Sequence, residues 1–194
     1  MAQLGFYVDA TKCTGCRTCQ IACKDKNRLD TEIWFRQVRN YSLGEYPNVQ
    51  GYNLSLSCNH CENPACVTTC PTGALYKTEE GPVLYDNELC LGAECGKCSI
   101  CPYGQPKMIP ELGVVQKCDT CYALRTAGGN PACVDACPQR ALDFGDLDEL
   151  TAKYGNDLVN ELPAIGVSAE MTHPHVLIKT KPCMSEEGAE ELWL

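Results

Sequence analysis

Sixteen of the seventeen cysteines in this 194-residue chain fall into four groups of four. The first is Cys13, Cys16, Cys19 and Cys23, spaced C-x2-C-x2-C-x3-C, and the second is Cys58, Cys61, Cys66 and Cys70, spaced C-x2-C-x4-C-x3-C. The third is Cys90, Cys95, Cys98 and Cys101 (C-x4-C-x2-C-x2-C), and the fourth is Cys118, Cys121, Cys133 and Cys137 (C-x2-C-x11-C-x3-C). Cys183 is left over and reads as a spare thiol. An odd count of closely spaced cysteines is poor material for a disulfide framework. Four thiolates per group suit either a structural zinc ion or an iron–sulfur cluster.

Spacing separates the two metals. Three cysteines two apart can wrap one face of a cuboidal cluster, and a fourth followed by Pro ligates the neighbouring cluster in two-cluster ferredoxins. Cys70-Pro71, Cys101-Pro102 and Cys137-Pro138 carry that Pro, whereas the first group ends Cys23-Lys24. Structural zinc draws on two separated C-x2-C pairs, often with His, and His60, His173 and His175 show no regular pairing with the cysteines. The motifs therefore point to four [4Fe-4S] clusters, with a zinc-stapled interaction module as the contrasting reading. The hydrophobic fraction of 44% counts the cysteines. Ordinary apolar side chains are thus fewer than a self-sufficient core usually has, and ligation must supply part of the stability.

The flanks of the motifs repeat as well. Asn63-Pro64-Ala65-Cys66-Val67, Cys70-Pro71 and Ala74-Leu75 recur at identical spacing as Asn130-Pro131-Ala132-Cys133-Val134, Cys137-Pro138 and Ala141-Leu142. Asp9 and Gly15 stand around Cys13 as Asp86 and Gly92 stand around Cys90. The chain reads as a tandem duplication of roughly residues 6–75 and 83–142. Segments 74–78 and 82–86, joined at Glu79-Glu80-Gly81, predict a β-hairpin linking groups two and three. These two groups then form one ferredoxin unit, and groups one and four close around it.

The expected fold is α+β and loop-rich: two nested, pseudo-twofold-related bacterial-type 2[4Fe-4S] ferredoxin modules with a C-terminal extension. The outer module would be residues 1–51 plus 113–145, the inner module 52–112, and the extension a helix, strand and tail over 146–194. Crossing of the last cysteine gives four ligand sets. They are Cys13, Cys16, Cys19 with Cys137; Cys58, Cys61, Cys66 with Cys101; Cys90, Cys95, Cys98 with Cys70; and Cys118, Cys121, Cys133 with Cys23. Spacing in group three leaves open whether Cys101 or Cys98 crosses.

Short helices are expected over Cys19–Arg28 and in the two Asn-Pro-Ala-Cys-Val segments, where Pro suits a helix start. Short strands are expected over 5–9, 52–57, 113–117, 140–144 and 175–179. A helix is expected over 146–154, and the tail beyond Lys181 reads as a surface extension. Lys12, Arg17, Lys24, Lys26, Arg28, Lys97, Lys107, Lys117, Arg125 and Arg140 flank cysteines, where cations raise a cluster's potential, although ordinary solvated charge is the simpler role for most. His60 reads as a hydrogen-bonding residue, and Tyr103 and Tyr122 as packing.

Sixteen Lys and Arg against 25 Asp and Glu give a formal charge of −9, which argues against a nucleic-acid surface. No export signal, 18-residue apolar run, dinucleotide fingerprint or nucleophile motif is seen. With every cluster saturated by thiolate, no iron is open to substrate. Four closely spaced clusters without a catalytic site read as a wire for single electrons between partners.

The order of groups, with Cys58-Asn59-His60-Cys61, Cys101-Pro102-Tyr103-Gly104, Lys117-Cys118-Asp119-Thr120-Cys121-Tyr122 and Cys137-Pro138, resembles the four-cluster iron–sulfur subunit of dimethyl sulfoxide reductase-type molybdopterin enzymes. The likeness covers roughly residues 5–180, and group three departs from the pattern. It implies a molybdenum or tungsten pterin catalytic partner next to the Cys13 cluster, and the Cys118 cluster at the far end beside a membrane quinol subunit or another donor. An equivalent subunit of a hydrogenase or formate-linked complex is the alternative. The resemblance also implies a soluble or membrane-peripheral complex, cytoplasmic or co-exported with its partner.

Overall fold

The computed structural model describes Ala2–Leu192; Met1, Trp193 and Leu194, the outermost positions of the expected outer module and tail, lie outside the described residues. The fold is mixed and loop-rich. Strand β1 (Leu4–Asp9) leads through the first cysteine loop to helix α1 (Thr18–Lys26), then to the hairpin β2 (Arg36–Leu43) and β3 (Gln50–Ser57). A one-turn helix α2 (Ala65–Thr68) and the hairpin β4 (Leu75–Lys77) and β5 (Val83–Tyr85) follow. Beyond group three come the hairpin β6 (Lys107–Ile109) and β7 (Val114–Gln116), helices α3 (Tyr122–Thr126) and α4 (Ala132–Asp135), and strand β8 (Leu142–Asp146). Helix α5 (Leu147–Tyr154), strand β9 (Val176–Lys179) and strand β10 (Glu190–Leu192) complete the order. Among the described residues no helix is long and apolar enough to cross a membrane.

The strand β1 is apolar in near-continuous sequence because it is the centre of a three-stranded sheet, antiparallel to β8 and parallel to β9. A Cβ on Gly5 would stand 2.5 Å from the His175 carbonyl, so the approach to β9 requires glycine there. Helix α5 starts cleanly because the Asp146 side chain accepts from the Asp148 and Glu149 amides.

The repeated flanking motifs share their local structure. Leu75 pairs with Tyr85 in β4–β5 as Leu142 pairs with Val8 in β8–β1, and Lys77 with Val83 as Phe144 with Phe6. The Asp86 amide donates to the Ala74 carbonyl at 2.7 Å, and the Asp9 amide to the Ala141 carbonyl at 2.7 Å. In α2 and α4, Val67 and Val134 bond back to Pro64 and Pro131.

The main core gathers Phe6, Val8, Phe35, Val38, Leu54 and Ile178 together with Cys19, Cys23, Cys58, Cys118, Cys133 and Cys137. The thiols are thus part of the packing. The tail departs from its expected role as a surface extension. Cys183 and Met184 are buried in the same core, and β10 pairs with β2 through Glu191 opposite Tyr41. The physical reason is that β2, absent from the sequence expectation, offers an edge that β10 covers.

Candidate metal centres

Each cysteine group rides on a loop turned by a left-handed residue. Gly15 and Arg17 do this in group one, Gly92 and Gly96 in group three. His60 and Thr120 hold the same position inside the two Cys-x2-Cys pairs, and Gly73 and Arg140 follow Cys70 and Cys137 by three residues. These turns aim successive thiols inward from one short segment. At Gly92 the requirement is doubled, because a Cβ would also run into the Gly113 carbonyl.

The thiols meet across groups. One nearly apolar cavity is lined by Cys13, Cys16, Cys19 and Cys137, and another by Cys58, Cys61, Cys66 and Cys101. Cys98 has the thiols of Cys90, Cys70, Cys95 and Cys101 as its neighbours. Cys23 has Cys133 and Cys121, and Cys118 has Cys23, Cys58 and Cys133. Cys101 thus lines the Cys58 cavity, while Cys98 sits among the Cys90 thiols.

Burial pushes the Cys23 and Cys66 thiols up to about 12, and Cys61 and Cys98 up to about 11, with neighbouring thiols adding to the shift in each case. So many confined thiolates need positive charge among them. A cluster of ferric and ferrous iron supplies it, and an all-thiol donor set is the one that [4Fe-4S] chemistry uses. Donors to sulfur suit ligated thiolate too. The Gly92 and Val115 amides lie 3.4 and 3.3 Å from Cys90 Sγ, and the Ala141 amide 3.3 Å from Cys137 Sγ. The residues fit four iron–sulfur clusters.

Exposure orders the sets. Cys16 is exposed, the third-group thiols and Cys70 are half-buried, and Cys58, Cys61, Cys66, Cys118, Cys121 and Cys133 are buried. Cys19 neighbours Cys133, and Cys118 neighbours Cys58. Cys118 and Cys133, expected at the far end, lie in the main core beside thiols of both the Cys13 and the Cys58 groups.

Two flanking cations turn out to be more than surface charge. Lys117 is fully buried, and its ammonium donates to the Val83 carbonyl and, at 2.9 Å, to that of Cys118. Arg125 is held by Thr120 at 3.0 Å and stacks on Phe144. Lys24 bonds the Asp30 and Ile33 carbonyls instead, over the Trp34 ring. The sequence reading missed Arg36, which is 2% exposed and has the thiols of Cys133, Cys19, Cys118 and Cys23 as neighbours. No cysteine adjoins it in sequence, so only recognition of β2, with Arg36, Val38 and Asn40 on its buried face, could have found it.

His60 is buried, and its Nδ1 accepts from the Val83 amide at 3.0 Å. Burial first, then Lys117 and Lys77, hold it neutral well below the ordinary imidazole range. Opening this contact frees a group that binds a proton below about pH 6.5, which the closed state refuses. Stability of the contact is therefore full at neutral pH and falls as pH drops. Hydrogen exchange at the Val83 amide should show its opening free energy falling by ~1.4 kcal/mol per pH unit below that point. His60→Asn, tolerant of the left-handed backbone, should abolish the slope; an unchanged slope in that variant would refute the assignment.

Four inward-turned thiol groups on a loop-rich αβ frame define a ferredoxin-type iron–sulfur protein. In agreement, residues 49–147 match the family described as the 4Fe-4S dicluster domain. The B subunit of anaerobic dimethyl sulfoxide reductase from Escherichia coli (strain K12) is 45% identical over 186 residues, covering 91% of this chain and 88% of that protein. The thiosulfate reductase electron transfer subunit of Salmonella typhi is 39% identical, covering 73% of this chain and 74% of its own. The arsenate respiratory reductase iron-sulfur subunit of Shewanella sp. (strain ANA-3) is 32% identical, covering 78% and 85%. This protein belongs to the family of dimethyl sulfoxide reductase B subunits.

Proposed function

We propose that this chain is the electron-transfer subunit of a molybdopterin oxidoreductase, carrying single electrons along four [4Fe-4S] clusters between a redox donor and a catalytic subunit. The observation that carries the reading is the meeting of Cys13, Cys16 and Cys19 with the distant Cys137 around one cavity, as the crossing of the last cysteine requires. The ligand sets are Cys13, Cys16, Cys19 and Cys137; Cys118, Cys121, Cys133 and Cys23; Cys58, Cys61, Cys66 and Cys101; and Cys90, Cys95, Cys98 and Cys70. Nested modules are supported by the equal registers of β4–β5 and β8–β1, the second closing the outer unit (1–51 with 113–145) around the inner one (52–112), with 146–194 as the extension.

The clusters supply one-electron chemistry, and the chain's own residues orient and insulate them. In the order Cys13 set, Cys118 set, Cys58 set, Cys90 set, the apolar core shields most thiols of the two central sets, while the end sets and the half-buried Cys101 reach the surface. The Cys13 end faces the molybdenum or tungsten pterin subunit. The Cys90 end, rimmed by exposed Leu89, Leu91 and Ile100, faces the second redox partner, a quinol-side subunit held in the membrane. The relatives' roles in dimethyl sulfoxide, thiosulfate and arsenate reductases favour a respiratory reductase over a hydrogenase.

Anaerobic purification of the native complex tests this. The expected result is a pterin-containing partner and about sixteen irons per chain, four per cluster. A colourless, zinc-bearing chain, or one isolated stably without a catalytic subunit, would overturn it.

A further inference from the structure

Arg36 poses a problem that the fold alone does not solve. Its guanidinium is buried, with Nη1 donating to the Ser55 carbonyl (3.3 Å) and Oγ (3.1 Å) and Nη2 to Ser57 Oγ (2.9 Å). The Phe6 ring covers it at 4.6 Å, and Nε has no partner. Among the described residues no carboxylate lies within ion-pair distance of it. An unpaired buried cation costs several kcal/mol. Every group bonded to this one is neutral.

The negative charge it faces is that of sulfur. Cys133, Cys19, Cys118 and Cys23 all act on it, and Ser55 Oγ, to which it donates, is itself 3.4 Å from Cys19 Sγ. Cys19 belongs to the Cys13 set and the other three to the Cys118 set. Lys117 differs, since its ammonium already has two carbonyl partners.

We infer that Arg36 is the shared internal counterion of the Cys13 and Cys118 clusters, holding both potentials above the values their thiolates alone would set. This rests on the cluster assignment proposed above. Each oxidised four-iron core with four thiolates carries a net charge of about −2, and reduction adds one more negative charge. A fixed cation between two such centres favours the reduced form of each. Arg36 is a positioning and tuning residue, since it touches the ligands' hydrogen-bond partner and not the electron path's ends.

The test is an electron paramagnetic resonance redox titration of the native complex carrying Arg36→Gln or Arg36→Lys. In R36Q the reduced-to-oxidised ratio of the two neighbouring clusters at a given poise should fall about tenfold, a downward shift of about 59 mV for a one-electron couple. The Cys58 and Cys90 clusters should keep their potentials, and R36K should shift the same two clusters less. Four unchanged potentials, or four equal shifts, would overturn the inference. Should R36Q lose iron, R36K decides: a shift confined to those two clusters supports the counterion, and none refutes it. Fewer than four separately titrating centres in the unsubstituted complex would instead overturn the proposed function.

Discussion

A Cys118→Ser chain, isolated in its complex, is expected to hold about twelve irons instead of about sixteen and to lose electron flow between its ends. Cys118 is buried in the main core, and burial together with the nearby Cys23, Cys58 and Cys133 pushes it well above the usual thiol range. It lies where the Cys118 set adjoins the Cys58 set, so losing its cluster opens a gap mid-wire while both end clusters remain. Iron analysis and spectroscopy should show one cluster signal missing and the other three present. Turnover of the terminal substrate should survive when a soluble dye reduces the catalytic subunit directly, yet fail with the native donor. Cys183→Ser provides the contrast, with all irons kept. Full iron content and native electron flow in C118S would refute the central placement.

Stripping the iron should have the largest effect on the fold. Six of the sixteen ligand thiols are members of the main core, and the loops that carry them have little regular structure between short strands. Free energies of metal ligation are of the order of 10 kcal/mol per site, against about 5–15 kcal/mol for the whole stability of a typical domain. Removing iron also leaves Arg36 buried without the negative charge it faces. The cooperative thermal transition should therefore disappear, not shift by a few degrees, as followed by circular dichroism after anaerobic chelation. An iron-free chain that still melts in a single cooperative step would show that apolar packing suffices.

The parts of this molecule that were legible in its sequence are those where chemistry dictates spacing. All sixteen ligand candidates, the hairpin of β4 and β5 with Gly81 in its turn, and the start of α5 at Asp146 could be read because each depends on residues a few positions apart. The strands β2, β6 and β10 could not. β2 mixes charged and polar side chains, β6 and β10 are only three residues long, and all three are held by cross-strand partners. Arg36 is the clearest case: its type argues for a surface, and only the thiols of three distant segments make its burial tolerable. The closeness of Cys118 to Cys58 and Cys23 was hidden for the same reason, since adjacency in the motif order does not give adjacency in the core.

The strand β1 has one further consequence, which concerns time. Its antiparallel partner is reached only at Leu142–Asp146 and its parallel partner at Val176–Lys179, with Leu4 opposite Asp146. Contacts so far apart in sequence must close a long loop before they return any stabilisation, which slows folding. During synthesis β1 therefore waits unpaired, and Cys13, Cys16 and Cys19 wait for Cys137. The inner cysteines, bridged by the short β4–β5 turn, can come together well before the outer ones. Iron delivery should thus run from the middle of the chain outwards, with the Cys13 site sealed last.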